Sequence, residues 1–152
     1  MQLTLHADYA LRVLLYLGSQ PAGRVVSTKE ISRTYGISTH HLVRVVRTLS
    51  EKGYVALTPG RSGGVSLARE THRIGIGDVV RSAETNLRLV ECFDKKTNTC
   101  PISAACELKP VLAQALDAFL AVLDRYTLDD LLTGHRGMRL AKVFADSPKR
   151  SA

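Results

Sequence analysis

The sequence lacks the features that mark several protein classes. It contains no run of about 18 apolar residues, so we expect no helical membrane span. The N-terminal segment MQLTLHADYALRVLLYLG has neither a basic start nor a small-residue cleavage site, which predicts a cytoplasmic protein without a secretory signal. No Ser-His-Asp arrangement, phosphate-binding loop or second cluster motif is present, and we therefore predict that the chain is not an enzyme.

Cysteine is also scarce: the chain has three, and all lie between Cys92 and Cys106. Three thiols cannot all pair, and a reducing cytosol favours metal or redox chemistry over structural disulfides. The spacing C-x7-C-x5-C lacks the close cysteine pairs of most zinc sites. Thiolates suit iron–sulfur clusters or zinc, so the spacing predicts a metal site and leaves the metal open. Asp94 and Glu107 are the other candidate donors, although each lies beside a cysteine.

Positive charge, by contrast, is in excess. The net charge is +7, and residues 24–69 hold eight Lys and Arg against two acids. Such a concentration of cations in one segment is typical of a surface that binds nucleic acid.

The basic segment has the pattern of a helix-turn-helix. Ser27 or Thr28 is suited to cap a short helix that ends near Tyr35, and Gly36 permits a tight turn. Ser38 is suited to cap a longer helix that runs to about Lys52. The residues predicted to face inward on this second helix are Leu42, Val45, Val46 and Leu49. The opposite face is basic, as expected of a recognition helix in a major groove.

Two short segments rich in β-forming residues, YVALT and GVSLA, flank the turn PGRSGG and predict a hairpin. A hairpin directly after a recognition helix is a wing, whose tip can reach a phosphate or the minor groove. Arg44 or Arg47 suits bidentate reading of guanine, whereas Lys52 suits a phosphate. The full set of predicted DNA-binding residues is Thr28, Ser38, Thr39, His40, His41, Arg44, Arg47, Lys52, Arg61, Ser62 and Gly63.

The predicted fold class is mainly α with a small β wing, comprising a winged helix-turn-helix DNA-binding domain and a long dimerisation helix. The boundaries are 1–82 for the winged domain, 83–107 for the cysteine-rich loop, 108–133 for the dimerisation helix and 134–152 for a flexible C-terminal tail. Because of Pro110, we expect the regular helix either to start near Lys109 or to be kinked there. Apolar residues then alternate spacings of four and three, which predicts a helix-packing seam of Leu108, Leu112, Ala115, Phe119, Val122 and Tyr126. One winged domain cannot easily cover so broad a stripe, so the seam predicts a partner subunit, with packing within one chain as the alternative.

The order of motifs resembles that of the Rrf-class winged-helix iron–sulfur repressors, in particular their nitric-oxide-sensing branch. The matching pieces are MQLT-x3-DYALR at the N-terminus, GRSGG in the wing, IGIGDVVR, the segment CPISAACELK and a final YTLDDLL. The resemblance extends from Met1 to about Leu132. A histidine after the last cysteine, which marks the branch that senses iron–sulfur status, is absent from the segment that follows Cys106.

The resemblance implies a homodimer that binds palindromic double-stranded operator DNA and responds to nitric oxide. It implies a cluster, 4Fe-4S with 2Fe-2S as the alternative, held by Cys92, Cys100 and Cys106. It also implies Asp8 of the partner subunit as the fourth ligand. The cluster-loaded dimer would repress, and attack of nitric oxide on the cluster would release the DNA. An iron–sulfur or redox regulator with a different signal, and a zinc or thiol-switch regulator, are the alternatives that stay open.

Overall fold

The computed structural model describes residues 2–60 and 63–146. Within them the chain is mainly helical with one two-stranded antiparallel sheet, which confirms the predicted fold class. The helices are α1 Leu5–Gly18, α2 Thr28–Tyr35, α3 Thr39–Glu51, α4 Ile76–Ala83, α5 Leu108–Leu123, α6 Leu128–Leu132 and α7 Gly134–Asp146, and the strands are β1 Val55–Thr58 and β2 Gly64–Leu67. Short 3₁₀ turns cover Thr71–Arg73 and Glu91–Phe93. No helix in these described ranges combines the length and apolarity needed to cross a membrane.

The helix-turn-helix forms at the predicted positions. Ser27 lies at the N-cap of α2, and its hydroxyl accepts the backbone N–H of Glu30 at 3.1 Å. The carboxylate of Glu30 accepts hydrogen bonds from the Tyr16 hydroxyl and from Arg24, each at 2.8 Å, which ties α2 to α1. Gly36 has a φ of +67°, a left-handed conformation that ends α2 and turns the chain into α3.

The wing is a short hairpin fixed to the rest of the domain by backbone hydrogen bonds. Val55 lies opposite Leu67 and Thr58 opposite Gly64. Val26 extends the pairing beyond the hairpin, since its N–H and C=O exchange hydrogen bonds of 2.9 and 2.8 Å with Val65. The predicted tip residues Arg61 and Ser62 lie outside the described residues.

The core surrounds α1. Ala7 and Ala10 are completely buried, and their small side chains allow neighbouring helices to approach α1 closely. Buried side chains of α2, α3, the wing and α4 complete the core, among them Ile31, Leu42, Val45, Leu49, Val65 and Val79. The recognition helix is therefore held by burial of one complete face.

The prediction of one helix over 108–133 is wrong at its C-terminal end. Helix α5 ends at Leu123, and Thr127 starts α6 with a reciprocal capping box to Asp130. Leu128 is buried in the core of the winged domain, and its N–H donates to the carbonyl of Ile74 at 2.8 Å. Residues 124–133 therefore pack as part of the winged domain, because this burial and capping favour a new helix over continuation of α5.

The predicted flexible tail is also corrected for residues 134–146, which form α7. Gly137 is buried, and Leu140 and Phe144 are half-buried on the same face. The Phe144 ring lies 5.1 Å from that of Tyr16 and 5.7 Å from that of Tyr35, both edge-to-face. These contacts hold the helix against α1 and α2. Residues 147–152 lie outside the described residues.

Candidate functional site

Helix α3 presents one face to the core and the other to solvent, as predicted. Its four apolar inward residues are all buried. The side chains of His40, His41, Arg44 and Arg47 are exposed. Arg47 forms an ion pair with Glu51 at 2.9 Å, whereas Arg44 forms none with any described residue. Arg44 is therefore the guanidinium of α3 that is free to contact DNA without first breaking an ion pair.

The first turn of α3 is held by contacts with α2 and α1. Ser38 is the N-cap residue, but its side chain makes no capping hydrogen bond. Thr39 is half-buried, and its hydroxyl donates to that of Ser32 at 3.2 Å. The His41 ring lies 6.3 Å from the ring of Tyr9 on α1. These contacts fix the direction in which the N-terminal end of the recognition helix points.

The remaining predicted DNA-binding residues occupy the edges of this surface. Thr28 is the half-buried first residue of α2, and Lys52 is exposed at the C-cap of α3. Gly63 donates its N–H to the carbonyl of Gly60 at 3.0 Å and has no room for a side chain. It shapes the wing turn through its backbone.

One candidate contact was missed in the sequence. Val43 on α3 is 54% exposed, although most β-branched apolar residues of the domain are buried. An apolar side chain on the outer face of a recognition helix suits contact with a thymine methyl group. The sequence could have predicted this exposure, because Val43 does not share the helical spacing of the inward residues Leu42, Val45, Val46 and Leu49.

The cysteine loop links α4 to α5, and its three thiols are free and half-buried. The backbone N–H and hydroxyl of Thr99 donate to the carboxylate of Glu91 at 2.6 and 2.7 Å. This pair joins the neighbour of Cys92 to the neighbour of Cys100, and the hydrogen bonds from Thr99 lower the pKa of Glu91. The loop is therefore closed on itself between its first two cysteines.

Asp94, two residues after Cys92, already has hydrogen-bond and ion-pair partners. Asp94 accepts the backbone N–H of Lys96 at 3.0 Å and pairs with Arg88. The hydrogen bond from Lys96 and the nearby charge of Arg88 lower the pKa of Asp94. Asp94 would therefore have to leave both partners before it could bind a metal.

The donor set fits a thiolate-bound metal centre in its chemistry. Three free cysteines on one polar loop supply the soft ligands that iron–sulfur clusters and zinc require. Across residues 2–60 and 63–146, however, no three His, Cys, Asp or Glu side chains are grouped so that they could hold a metal ion. The described chain therefore supplies the donors without a complete, assembled site.

Asp8, the predicted fourth ligand, lies in the first turn of α1. Its two carboxylate oxygens accept hydrogen bonds of 3.0 and 2.7 Å from Arg12. The N-cap residue of α1, Thr4, donates its backbone N–H to Glu84 at 2.7 Å. Since Glu84 follows α4 directly, the start of the cysteine loop is tied to the N-terminus of the helix that carries Asp8.

Helix α5 has no fully buried side chain along its described length. Its exposed apolar stripe differs in part from the predicted seam, because Leu112 and Phe119 are half-buried against the same chain. Phe119 lines a cleft with Leu3, Leu87 and Leu89. The residues exposed at alternating spacings of three and four are Leu108, Val111, Ala115, Ala118 and Val122. We call these five residues the α5 seam.

Comparison with known proteins identifies the family. Residues 3–134 match the Rrf2 family, described as iron-dependent transcriptional regulators. The chain belongs to the Rrf2 family. This membership confirms the resemblance stated from the motifs, and it agrees with a DNA-binding transcriptional regulator rather than an enzyme.

Within the Rrf2 family, the chain is similar over most of its length to regulators named NsrR. The chain is 47% identical to the HTH-type transcriptional regulator NsrR of Shouchella clausii, over 95% of this chain and 97% of that one. It is 46% identical to NsrR of Bacillus subtilis, over 94% and 99%. NsrR is the group whose motifs the sequence resembles. Among solved structures, CymR, the global cysteine regulator of B. subtilis, superposes with a TM-score of 0.68 at 29% identity, covering 86% of this chain and 95% of that one.

Proposed function

We propose that this Rrf2-family regulator is a nitric-oxide-sensing repressor that binds a palindromic operator as a cluster-loaded homodimer. The observation that carries the proposal is the position of the three free thiols. They lie on one loop that begins beside the N-terminus of α1 and ends at the start of α5. A ligand set in this position can act on both the DNA-reading unit and the α5 seam.

Cys92, Cys100 and Cys106 would hold the cluster, a 4Fe-4S centre, and Asp8 of the partner subunit would complete the ligand set. When bound, the cluster supplies iron that nitric oxide can attack. A carboxylate is a weaker partner for soft iron–sulfur chemistry than a thiolate, so this position is the most easily vacated. Asp8 has an alternative partner in Arg12 of its own helix, which would receive the carboxylate after release.

The chain contains a route from the loop to the recognition helix. Glu84 links the start of the loop to Thr4, the N-cap of α1. Helix α1 in turn contacts α3, where Tyr9 lies beside His41 and His6 hydrogen-bonds Thr48 at 3.2 Å. A rearrangement of the loop would therefore move the N-terminal end of α1, and with it the face of α3 that enters the major groove.

The α5 seam supports the homodimer. Exposed apolar residues with heptad-like spacing are stabilised when a second helix covers them. A palindromic operator requires two recognition helices related by two-fold symmetry, and a symmetric dimer paired through α5 would supply them.

The first experiment tests the signal. The protein is purified without oxygen, and iron, sulfide and zinc are measured. A duplex is selected from a random-sequence library and bound, and nitric oxide is added in steps. We expect stoichiometric iron and sulfide, and release of DNA as nitric oxide reacts. Complexes that persist after complete reaction would refute the switch, and zinc without sulfide would favour a zinc or thiol-switch regulator.

The second experiment tests the origin of the fourth ligand. Mixed dimers combine a subunit carrying Asp8→Ala with a subunit in which Cys92, Cys100 and Cys106 are changed to serine. If Asp8 acts across the dimer, the mixed dimer holds one complete site and retains one cluster. If Asp8 acts within its own chain, no complete site exists, and the cluster is as labile as in the Asp8→Ala homodimer.

A further inference from the structure

The outward face of helix α7 carries exposed cations beside two exposed apolar side chains, Met138 and Val143. Arg136, Arg139 and Lys142 are exposed, and none of them forms an ion pair with any residue in the described part of the chain. By helical geometry Arg139 and Lys142 lie opposite the inner face of Gly137, Leu140 and Phe144. Six other described arginines, by contrast, form ion pairs with carboxylates: Arg12, Arg24, Arg47, Arg73, Arg81 and Arg88. Charge left free on a well-anchored helix is available to a partner.

Helix α7 lies beside the first helix of the helix-turn-helix. Phe144 packs edge-to-face on Tyr35 of α2 at 5.7 Å. Helix α2 contacts the recognition helix through Ser32, whose hydroxyl accepts from Thr39. Helix α2 therefore makes contact with both α3 and α7. In helix-turn-helix proteins the first helix crosses the phosphate backbone while the second enters the groove.

Helix α2 also carries exposed cations. Lys29 and Arg33 are exposed four residues apart, on the side of α2 opposite the buried Ile31. Neither forms an ion pair with any residue of the described ranges. Together with Arg136, Arg139 and Lys142 they make up what we call the α2–α7 basic surface. Five separate cations on one surface suit a polyanion that carries one negative charge on each repeating unit.

We propose that the α2–α7 basic surface binds the phosphodiester backbone of DNA that flanks each operator half-site. Recognition is by charge and is independent of base sequence, so α7 extends the footprint without adding specificity. The inference rests on the DNA-binding role of the proposed function but not on the cluster or its signal.

The test compares two double variants of the full-length protein that remove equal charge. Arg139→Gln with Lys142→Gln removes two charges from α7. Lys109→Gln with Arg125→Gln is the control, and it removes one cation in the first turn of α5 and one just beyond the end of that helix. Binding is measured by fluorescence anisotropy over a range of salt concentrations. The probes are a selected operator duplex with long flanks and the same duplex trimmed to its half-sites. Sedimentation checks that both variants assemble like the wild type.

We expect the α7 variant to bind the long duplex more weakly. The magnitude of the slope of log K against log salt should fall by about 2 to 4, since each phosphate contact contributes roughly 0.9 and the variant removes two cations from each subunit of the dimer. On the trimmed duplex the variant and the wild type should bind alike. A variant with Arg139→Lys and Lys142→Arg keeps the charge and should behave as the wild type. Equal salt slopes for the wild type, the α7 variant and the control would overturn the proposal.

The two proposals can fail separately. If the wild type binds DNA but does not respond to nitric oxide, the proposed signal fails and the salt slopes still test α7. If nitric oxide releases the wild type and the α7 variant from DNA identically, and the two proteins have the same salt dependence of binding, the proposed role of the basic surface is wrong. The proposed nitric-oxide response is then still supported. A protein that binds no duplex at any salt concentration would overturn both.

Discussion

Arg81 on α4 holds Asp124, just beyond the end of α5, through two hydrogen bonds of 2.6 Å each. The backbone bond from Ile76 to Tyr126, at 2.9 Å, lies beside this ion pair. Gly77 makes the approach feasible, because a Cβ at that position would collide with the Asp124 carboxylate. The C-terminal end of α5 is thus fixed to the winged domain, while its N-terminal end follows the cysteine loop.

The ion pair predicts a pH dependence of stability. The hydrogen bonds from Arg81 lower the pKa of Asp124, so this carboxylate stabilises the fold above its unfolded pKa and loses that contribution as pH falls through the folded value. Asp124→Asn should lower Tm at neutral pH, and the difference from the wild type should shrink in acid. Asp117→Asn is the control, since Asp117 lies on α5 without an ion pair among the described residues. Thermal unfolding of the three proteins between neutral and acidic pH provides the measurement, and a constant difference for Asp124→Asn would contradict the prediction.

The two N-cap serines of the helix-turn-helix should behave differently. Ser27 accepts the N–H of Glu30, so Ser27→Ala should cost about 0.5 to 2 kcal/mol of unfolding free energy. Ser38 makes no capping hydrogen bond, so Ser38→Ala should cost less and instead weaken DNA binding. Urea unfolding and anisotropy on a selected duplex separate the two effects. Equal losses of stability would show that the hydroxyl of Ser38 caps α3 in solution.

Local residue types were sufficient to predict the winged domain. Ser27 and Ser38 lie at the N-caps and Gly36 adopts the left-handed turn, because capping and positive φ depend on single residues. The inward face of α3 followed from helical spacing alone. The position of the wing turn could be predicted from its glycines. The DNA contacts proposed for Arg61 and Ser62 at its tip stay predictions.

The C-terminal third could not be predicted in the same way. The break before α6 depends on whether Leu128 finds space in a distant core, and helical spacing does not contain that information. Helix α7 was missed because its few apolar residues are stabilised by rings of α1 and α2 that lie far away in sequence. Leu112 and Phe119 fitted the predicted seam equally well by spacing, and only the packing of the chain decides which stripe stays exposed.

The α5 seam predicts which substitution disrupts assembly. Ala118 lies on the seam between Val111 and Val122, which are 58% and 50% exposed. Ala118→Glu places a charge where a second helix would pack, and burial of an unpaired charge is costly. We expect this variant to sediment as a monomer and to lose binding to the palindromic duplex. Ala121→Glu is the matched control, because Ala121 is exposed on the same helix about 100° from the seam centre. Dissociation of both variants would contradict the assignment of the seam.

Val43 provides a test of base reading on α3. Since its side chain is 54% exposed, Val43→Ala should change the unfolding free energy by no more than about 0.5 kcal/mol. Contact with a thymine methyl group would make binding of the wild type sensitive to replacement of that thymine by uracil, which removes only the methyl. Selected duplexes are therefore synthesised with uracil at one position at a time. We expect the wild type to bind one such duplex more weakly, and Val43→Ala to bind it as well as the parent duplex. If wild-type protein tolerates uracil at every position, Val43 does not read the operator, and its exposure on the recognition helix has another cause.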